Sequence, residues 1–145
     1  MNELLLIVTI AGQRVALPAA AVESVVELDT LIPVPRAASH VAGLSALRSR
    51  VLTVIDCMRS LELGVSRTDG LLEAAVIEVE GHHYALIVDS VEDVVEALSE
   101  PTPIRAAMGA GWERASVGMV ETEEGPLLLV DVATLVAGAA EARAA

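Results

Sequence analysis

Hydrophobic positions along the chain come in short runs rich in β-branched residues, separated by turns that contain glycine. The run Leu4–Ile10, the turn at residues 11–13 and the run Arg14–Leu17 predict a β-hairpin. Val22–Leu28 predicts a further strand because of its valine content. Val51–Ile55 is too short and too β-branched for a helix, so it predicts a buried strand. The pattern therefore favours a chain built mainly of strands.

Prolines, glycines and alanines mark the segments that connect these strands. Leu31–Pro35 holds two prolines, which cannot donate to a sheet, so it predicts an extended connection or an edge. Ala38–Ala42 predicts a short helical turn, and Cys57–Leu63 predicts one or two turns of helix. Gly64–Gly70 is polar and predicts a linker, while Glu100–Gly111, with two prolines and two glycines, predicts a loop.

The hairpin pattern occurs twice in the chain. Val76–Leu86 lies over Ile7–Leu17 at an offset of 69 residues, and Leu127–Val130 lies over Leu52–Ile55 at an offset of 75 residues. A recurring period of this kind indicates a repeated structural unit. Chance similarity of two valine-rich hairpins is the alternative interpretation.

The repeat predicts two similar β-rich halves of one domain, roughly residues 1–66 and 71–138. Closely spaced hairpins with few helices favour small barrels over an α/β sheet. The alanine-rich segment Val132–Ala142 predicts a C-terminal helix packed on a barrel. We therefore predict an all-β fold with short helices, in which strand exchange between the halves stays an open question.

Composition sets the class of protein. The 145 residues are enough for about one domain, and a hydrophobic content of 54% excludes disorder for most of the chain. The longest apolar runs, Leu4–Ala11 and Pro126–Val130, are well short of the roughly 20 residues that a membrane-spanning helix needs. The N-terminus is acidic where a signal peptide is basic, and Cys57 has no second cysteine to pair with. We expect a soluble cytoplasmic protein with no direct membrane insertion.

The formal net charge of −12 lies almost entirely in the second half of the chain. Such a charge repels polyanionic ligands. The aromatic residues on which single-stranded nucleic acids stack are nearly absent, since Tyr84 and Trp112 are the whole set. Nucleic acid is therefore excluded as a partner.

The histidines and the cysteine do not have the spacing of a metal or nucleophile site. His82 and His83 are neighbours, so in a strand they point to opposite faces, and His40 is remote in sequence. Cys57 has no nearby histidine and fits a buried small side chain. We predict no metal and no cofactor.

Two aspartates occupy equivalent places in the repeat. Asp56 and Asp131 each end an apolar strand and precede a predicted helix, which favours a capping role. No set of residues supplies a nucleophile, a base and an orienting group together. The sequence predicts a non-enzyme.

The stretch Gly43–Asp56 places a charged turn between two apolar segments. Arg48 and Arg50 lie in or beside this turn, whereas Glu123 occupies the equivalent place of Arg48 in the second half. Loops held by a rigid scaffold often carry binding residues. Two interpretations fit this pattern. One is a solvated hairpin with two surface arginines, and the other is a turn that binds a partner.

Five elements together point to a known family. Their order and spacing, over about residues 4–138, resemble the CheW-like family of bacterial chemotaxis coupling proteins. The elements are Ile32-Pro33-Val34-Pro35, Gly43–Ser49, Val51–Asp56, Val88–Val94 and Gly118–Val136.

The resemblance implies a fold and a function. The fold is two five-stranded β-barrels of the OB or SH3 type, related by internal duplication. The function is a non-catalytic adaptor that bridges the cytoplasmic tip of a methyl-accepting chemoreceptor to the regulatory domain of a CheA-like histidine kinase.

The same resemblance implies two binding sites. Arg48 matches the turn arginine that the family uses in kinase coupling, and its neighbours Leu47 and Ser49 belong with it. The residues that it implies for receptor binding are Val22, Gly43, Val34 and Leu44.

Three positions depart from the family pattern. Ala46 stands where the family has asparagine, Ser49 where it has glycine, and Thr53 where it has proline. Serine adopts positive φ less readily than glycine, so we expect the shape of this turn to differ from that in the family. The alternative function is therefore a divergent CheW-like interaction module that serves a different signalling kinase or assembly.

Overall fold

A computed structural model describes residues 3–68, 70–104 and 107–144. Asp69 of the predicted linker, and Arg105 and Ala106 of the predicted loop, lie outside these residues. Strands dominate the described chain, together with a short 3₁₀ turn at Ala19–Ala21. In chain order the elements are β1 Leu4–Ile10, β2 Gln13–Pro18, β3 Val22–Leu28, β4 Val41–Leu47, β5 Arg50–Ile55, α1 Cys57–Ser60, β6 Leu72–Val79, β7 His82–Val88, β8 Ser90–Glu96, α2 Ala110–Ala115, β9 Ser116–Thr122, β10 Gly125–Val130 and α3 Val132–Ala144.

The strands form two five-stranded sheets that each combine strands from both halves of the sequence. Sheet I has the order β8-β1-β2-β10-β9, and sheet II has the order β3-β6-β7-β5-β4. Each sheet therefore holds one hairpin from one half, β1–β2 or β6–β7, and three strands from the other half. Neither half can complete its sheet alone.

The two sheets repeat the same register. The parallel pair β2–β10 sets Ala16 opposite Leu129, and the parallel pair β5–β7 sets Ala85 opposite Val54. These residues are related by the offsets of 69 and 75 that the sequence displays. The structural repeat therefore extends to individual residue pairs, and internal duplication as its origin stays an interpretation.

The predicted closed barrels need a correction, because the described strand pairing leaves both sheets open. Connecting segments occupy the outer edges at which closure would take place. Ile32 exchanges two backbone hydrogen bonds of 2.8 Å with Leu44 of β4, and Thr102 does the same with Met119 of β9, at 2.8 and 2.9 Å. Beyond β8, a backbone hydrogen bond of 2.7 Å, donated by Leu98 to the carbonyl of Glu121, joins the two edges of sheet I.

The helical segments also differ from the prediction. Ala38–Ala42 is not helical, because its last two residues extend β4 and Val41 pairs with Ile55. The sequence pattern did not predict α2, which begins at the end of the predicted loop. The C-terminal helix α3 is present but is interrupted at Gly138, where φ is 76°. These differences arise because pairing and packing partners distant in sequence override local propensity.

The core has three parts, and strand β1 contributes to two of them. Leu5 and Ile7 point into the interior of sheet I, whereas Leu6, Val8 and Ile10 point into a central cluster between the sheets. Both faces of β1 are therefore buried, which explains why its sequence is apolar without alternation. Sheet II encloses the third cluster.

Polar side chains tie α3 to the first half of the chain. Ser60 of α1 donates a hydrogen bond of 2.7 Å to the carbonyl of Leu135, and His40 Nε2 donates one of 2.6 Å to the carbonyl of Val136. Glycine is required at position 138, since a Cβ there would lie 2.5 Å from the imidazole ring of His40. These contacts fix where α3 is interrupted.

We expect Gly111→Ala to lower the free energy of unfolding by about 3 kcal/mol, as for severe overpacking. A Cβ at this position would lie 1.9 Å from the carbonyl oxygen of Leu61, so α1 and α2 would have to separate. Gly109→Ser is the matched control, because its Cβ meets open space and serine is a favoured N-cap. Thermal melts of both variants check the prediction, and equal melting temperatures would contradict it.

Candidate protein-binding surfaces

The turn between β4 and β5 consists of two residues that both have positive φ. Arg48 has φ 50° and Ser49 has φ 69°, and the flanking residues Leu47 and Arg50 are paired. This is the geometry of a type I′ hairpin, which matches the twist of the strands. The side chain of Arg48 is exposed and makes no hydrogen bond or ion pair with any residue that the structure describes. Its guanidinium is therefore available to a partner.

Two other hairpins of the chain share this geometry but include a glycine. The turns Ala11-Gly12 and Glu80-Gly81 also have two positive φ values, and glycine takes the second place in each. Ser49 occupies that place in the β4–β5 turn. An L-residue in this conformation costs roughly 1–2 kcal/mol, which the flanking strand pairing must offset. The turn keeps the shape that glycine would give, although the sequence departs from the family there.

A cavity of about 220 Å³ opens beside this turn, at one end of the interior of sheet II. Its floor is formed by apolar side chains of the sheet, and charged side chains line its rim. Arg50 donates to Glu23 at 3.0 Å on this rim, which lowers the pKa of the Glu23 carboxyl. The lining residues are Glu23, Ser24, Leu47, Arg48, Arg50, Leu52 and Val76.

The equivalent end of sheet I carries the opposite charge. Arg14 is held there by two hydrogen bonds of 3.0 Å to Glu92 and a contact of 3.3 Å to Glu124. Glu123 and Glu124 form the β9–β10 turn, in place of Arg48 and Ser49. The basic turn and the acidic turn thus lie on different sheets, so the two ends suit partners of different charge.

Three of the four residues implied for receptor binding lie together along the edge strand β4. Leu44 is bridged by Ile32, and Val34 lies two residues further along that segment, with 38% of its surface exposed. Gly43 is buried, and a Cβ there would lie 2.5 Å from the carbonyl oxygen of Ile32. Its role here is to let the Ile32 segment approach β4 closely.

Val22 lies elsewhere, because it begins β3 at the opposite edge of sheet II and packs partly against the central cluster. Two exposed apolar residues near the binding candidates were not predicted from the sequence. Ile32 is 55% exposed, and Val51, next to the arginine turn, is 62% exposed. In the sequence, the exposure of Ile32 was indicated only by its position before a proline, in a segment whose prolines cannot donate hydrogen bonds to a sheet.

The remaining candidate groups have structural roles. Asp56 is buried and accepts hydrogen bonds from the backbone of Met58 and Arg59 at the start of α1, and from the backbone and hydroxyl of Ser66. Burial raises the pKa of the Cys57 thiol far above its ordinary value, so this thiol is not a nucleophile. Asp56 therefore caps α1, as predicted.

Asp131 repeats this role in the second half of the chain. It accepts from the backbone of Ala133 at 3.1 Å and from the hydroxyl of Thr134 at 3.1 Å, at the start of α3. Within the described residues, no nucleophile, base and orienting group come together. None of the helices described is both long and apolar enough to cross a membrane.

The two sheets present an arginine turn and an exposed apolar edge. Among the described residues, Arg48 has no ionic partner and no catalytic groups come together. These features are typical of a protein-interaction module. The chain belongs to the CheW-like family, whose domain model matches residues 4–140. Members of this family are non-catalytic scaffold and adaptor proteins of chemotaxis signal transduction.

A solved structure has the same fold. It is the scaffolding protein TtCheW from Thermoanaerobacter tengcongensis, with a TM-score of 0.74 and 20% sequence identity over 93% of this chain and 88% of that chain. A comparison with curated proteins gives no match.

We expect Ser49→Gly to raise the free energy of unfolding by up to about 1 kcal/mol, because glycine relieves the positive φ at this turn. The same change at Ser24, a strand residue without positive φ, is the control and should lower stability. Thermal denaturation measures both. A lower melting temperature for Ser49→Gly would mean that the turn is not strained.

Proposed function

We propose that the chain acts in the cytoplasm and couples chemoreceptors to a CheA-type histidine kinase, binding the receptor tip and the regulatory domain of the kinase on different surfaces. Membership in the CheW-like family supports the general role. The observation that carries the kinase contact is the guanidinium of Arg48, which lies on a two-residue turn and has no partner among the residues that the structure describes. The description of TtCheW as a scaffolding protein agrees with a role in assembly.

The kinase-binding surface is proposed at Arg48, Leu47 and Ser49. Because Arg48 has no described ionic partner, binding breaks no existing ion pair, and because the turn is held by sheet pairing, little backbone entropy is lost. A guanidinium in this position suits a carboxylate or a backbone carbonyl of the partner. The half-buried Leu47 adds apolar contact at the rim of the cavity.

The receptor-binding surface is proposed along the β4 edge, with Val34 and Leu44 as contacts and Gly43 as the residue that lets the Ile32 segment lie flat. Exposed apolar side chains on this edge fit an apolar partner surface. Val22 is proposed as a further contact, on the other edge strand of the same sheet.

Simultaneous binding of two partners explains how such a module transmits a signal without chemistry. Holding receptor and kinase on one rigid body raises the effective concentration of each for the other. If the receptor state changes how it contacts the module, the coupling free energy biases the activity of the kinase.

The second candidate function is a CheW-like interaction module for another signalling kinase or assembly. Ala46, Ser49 and Thr53 favour it, because all three lie in or beside the kinase-binding hairpin and depart from the family pattern. Purification of the tagged chain from its native cells separates the two functions, since CheA-type kinase peptides should be recovered only under the first.

We expect Arg48→Glu to weaken binding to a CheA regulatory domain at least about tenfold, because arginines at interface centres often dominate binding energy. Its thermal melt should stay nearly unchanged, since Arg48 has no described partner to lose. Arg36→Glu is the matched control, because Arg36 is also exposed and has positive φ (65°). Titration calorimetry with the isolated regulatory domain measures the affinities.

Unchanged affinity of the Arg48→Glu protein would exclude the proposed kinase surface. Equal losses in Arg48→Glu and Arg36→Glu would mean that overall charge, and not this turn, controls binding. The first function also requires that the unaltered chain binds the regulatory domain.

For the receptor surface, we expect Val34→Asp to weaken binding to a chemoreceptor tip at least about tenfold while kinase binding stays unchanged. A carboxylate there would lose its hydration against an apolar partner. Val65→Asp is the control, because Val65 is also exposed and lies in the loop after α1. A Val34→Asp protein that binds the receptor normally would exclude this edge.

A further inference from the structure

Three metal-ligating side chains converge at the open end of sheet II. His83 Nε2 lies 2.7 Å from Glu23 Oε2 and 3.5 Å from Glu78 Oε2. One ligand atom from each residue lies within 4.8 Å of the other two. The imidazole is largely covered, with 24% of its side chain exposed, while both carboxylates reach solvent. Imidazole and carboxylate groups are ligands that zinc accepts.

Sheet geometry produces this convergence. Glu78 and His83 are directly opposite in the β6–β7 pair, so their side chains share a face. On β3, the register shifts between Val22 and Ser24, so Glu23 is the extra residue of a β-bulge. A bulge redirects the side chain that it carries, and bulges occur often beside functional sites. The bulge brings Glu23 to the same imidazole that Glu78 contacts.

The distances fit a small cation with little rearrangement. In a tetrahedral zinc site, bonds of about 2.1 Å put neighbouring ligand atoms about 3.4 Å apart. The observed separations of 2.7 and 3.5 Å bracket this value. A fourth position would stay open to water or to a side chain of a partner.

Arg50 supports the site without occupying it. Its guanidinium bonds to Oε1 of Glu23 at 3.0 Å, whereas Oε2 of the same carboxylate faces His83. Hydrogen bonds to a ligating carboxylate orient it, as is usual around metal sites.

Sheet I provides an informative comparison. There Arg14 and Glu92 occupy the places of His83 and Glu23, and the guanidinium of Arg14 stays charged beside its carboxylates. In sheet II an imidazole takes the place of that guanidinium. A guanidinium does not bind a metal ion, whereas the Nε2 atom of His83 can do so.

We propose that Glu23, Glu78 and His83 bind a divalent transition-metal ion of the zinc class, beside the Arg48 turn. The sequence predicts no metal site, because its histidines and its cysteine do not have the spacing of metal ligands. These three ligands come from three strands, and the order β3-β6-β7 makes those strands neighbours. The site does not depend on the proposed coupling function.

The test is calorimetric titration of the full metal-free chain with zinc chloride, followed by cobalt(II) absorption spectroscopy. We expect one saturable site. His83→Asn and Glu78→Gln should each weaken zinc binding at least about tenfold, as loss of a ligand requires. His82→Asn is the matched control and should bind normally, because His82 is adjacent but points to the opposite face.

Absence of saturable binding at millimolar zinc would overturn the proposal. Equal weakening of zinc binding in His82→Asn and His83→Asn would also overturn it, because the metal would then bind to exposed imidazoles in general. Circular dichroism melts establish that each variant is folded, and Glu78→Gln, at a side chain that is 54% exposed, provides a variant whose folding is least at risk. Unchanged binding in a folded Glu78→Gln protein would exclude the three-ligand site.

Discussion

The burial of both faces of two hairpins is the constraint on which the rest of the structure depends. β1–β2 and β6–β7 each pair with two strands from the other half of the chain, and their outer faces meet in the central cluster. Because each hairpin completes a sheet that the other half begins, the two sheets form one cooperative body. The proposed partner-binding surfaces therefore stand on one body that is built from both halves of the chain.

Charge differs between two ends that occupy equivalent places in the repeat. At sheet I, Arg14 is enclosed by Glu92 and Glu124, and the turn is acidic. At sheet II, Arg48 has no ionic partner among the described residues, and His83 takes the place of Arg14. Repetition of the same register, with side chains exchanged at the rims, thus yields two chemically different surfaces.

Glycines mark the points at which segments distant in sequence come into contact. Gly43 admits the Ile32 segment against β4, Gly111 admits the backbone of Leu61, and Gly138 admits the imidazole of His40. At each of these positions a Cβ would come within 2.5 Å of another group. They explain why an alanine-rich C-terminal segment does not continue as one helix, and why the edge of β4 is covered by a connecting segment and not by β3.

Local features of the sequence determined the strands, the glycine hairpins, the aspartate caps and the repeat, because β-branched runs and turn residues act on their near neighbours. They also determined the family resemblance and the arginine turn. Tertiary structure alone decided which strands share a sheet, that the sheets stay open, that α2 forms, and that Glu23, Glu78 and His83 meet. Those outcomes depend on burying both faces of the hairpins and on one bulge in β3, which are long-range contacts that no local pattern encodes.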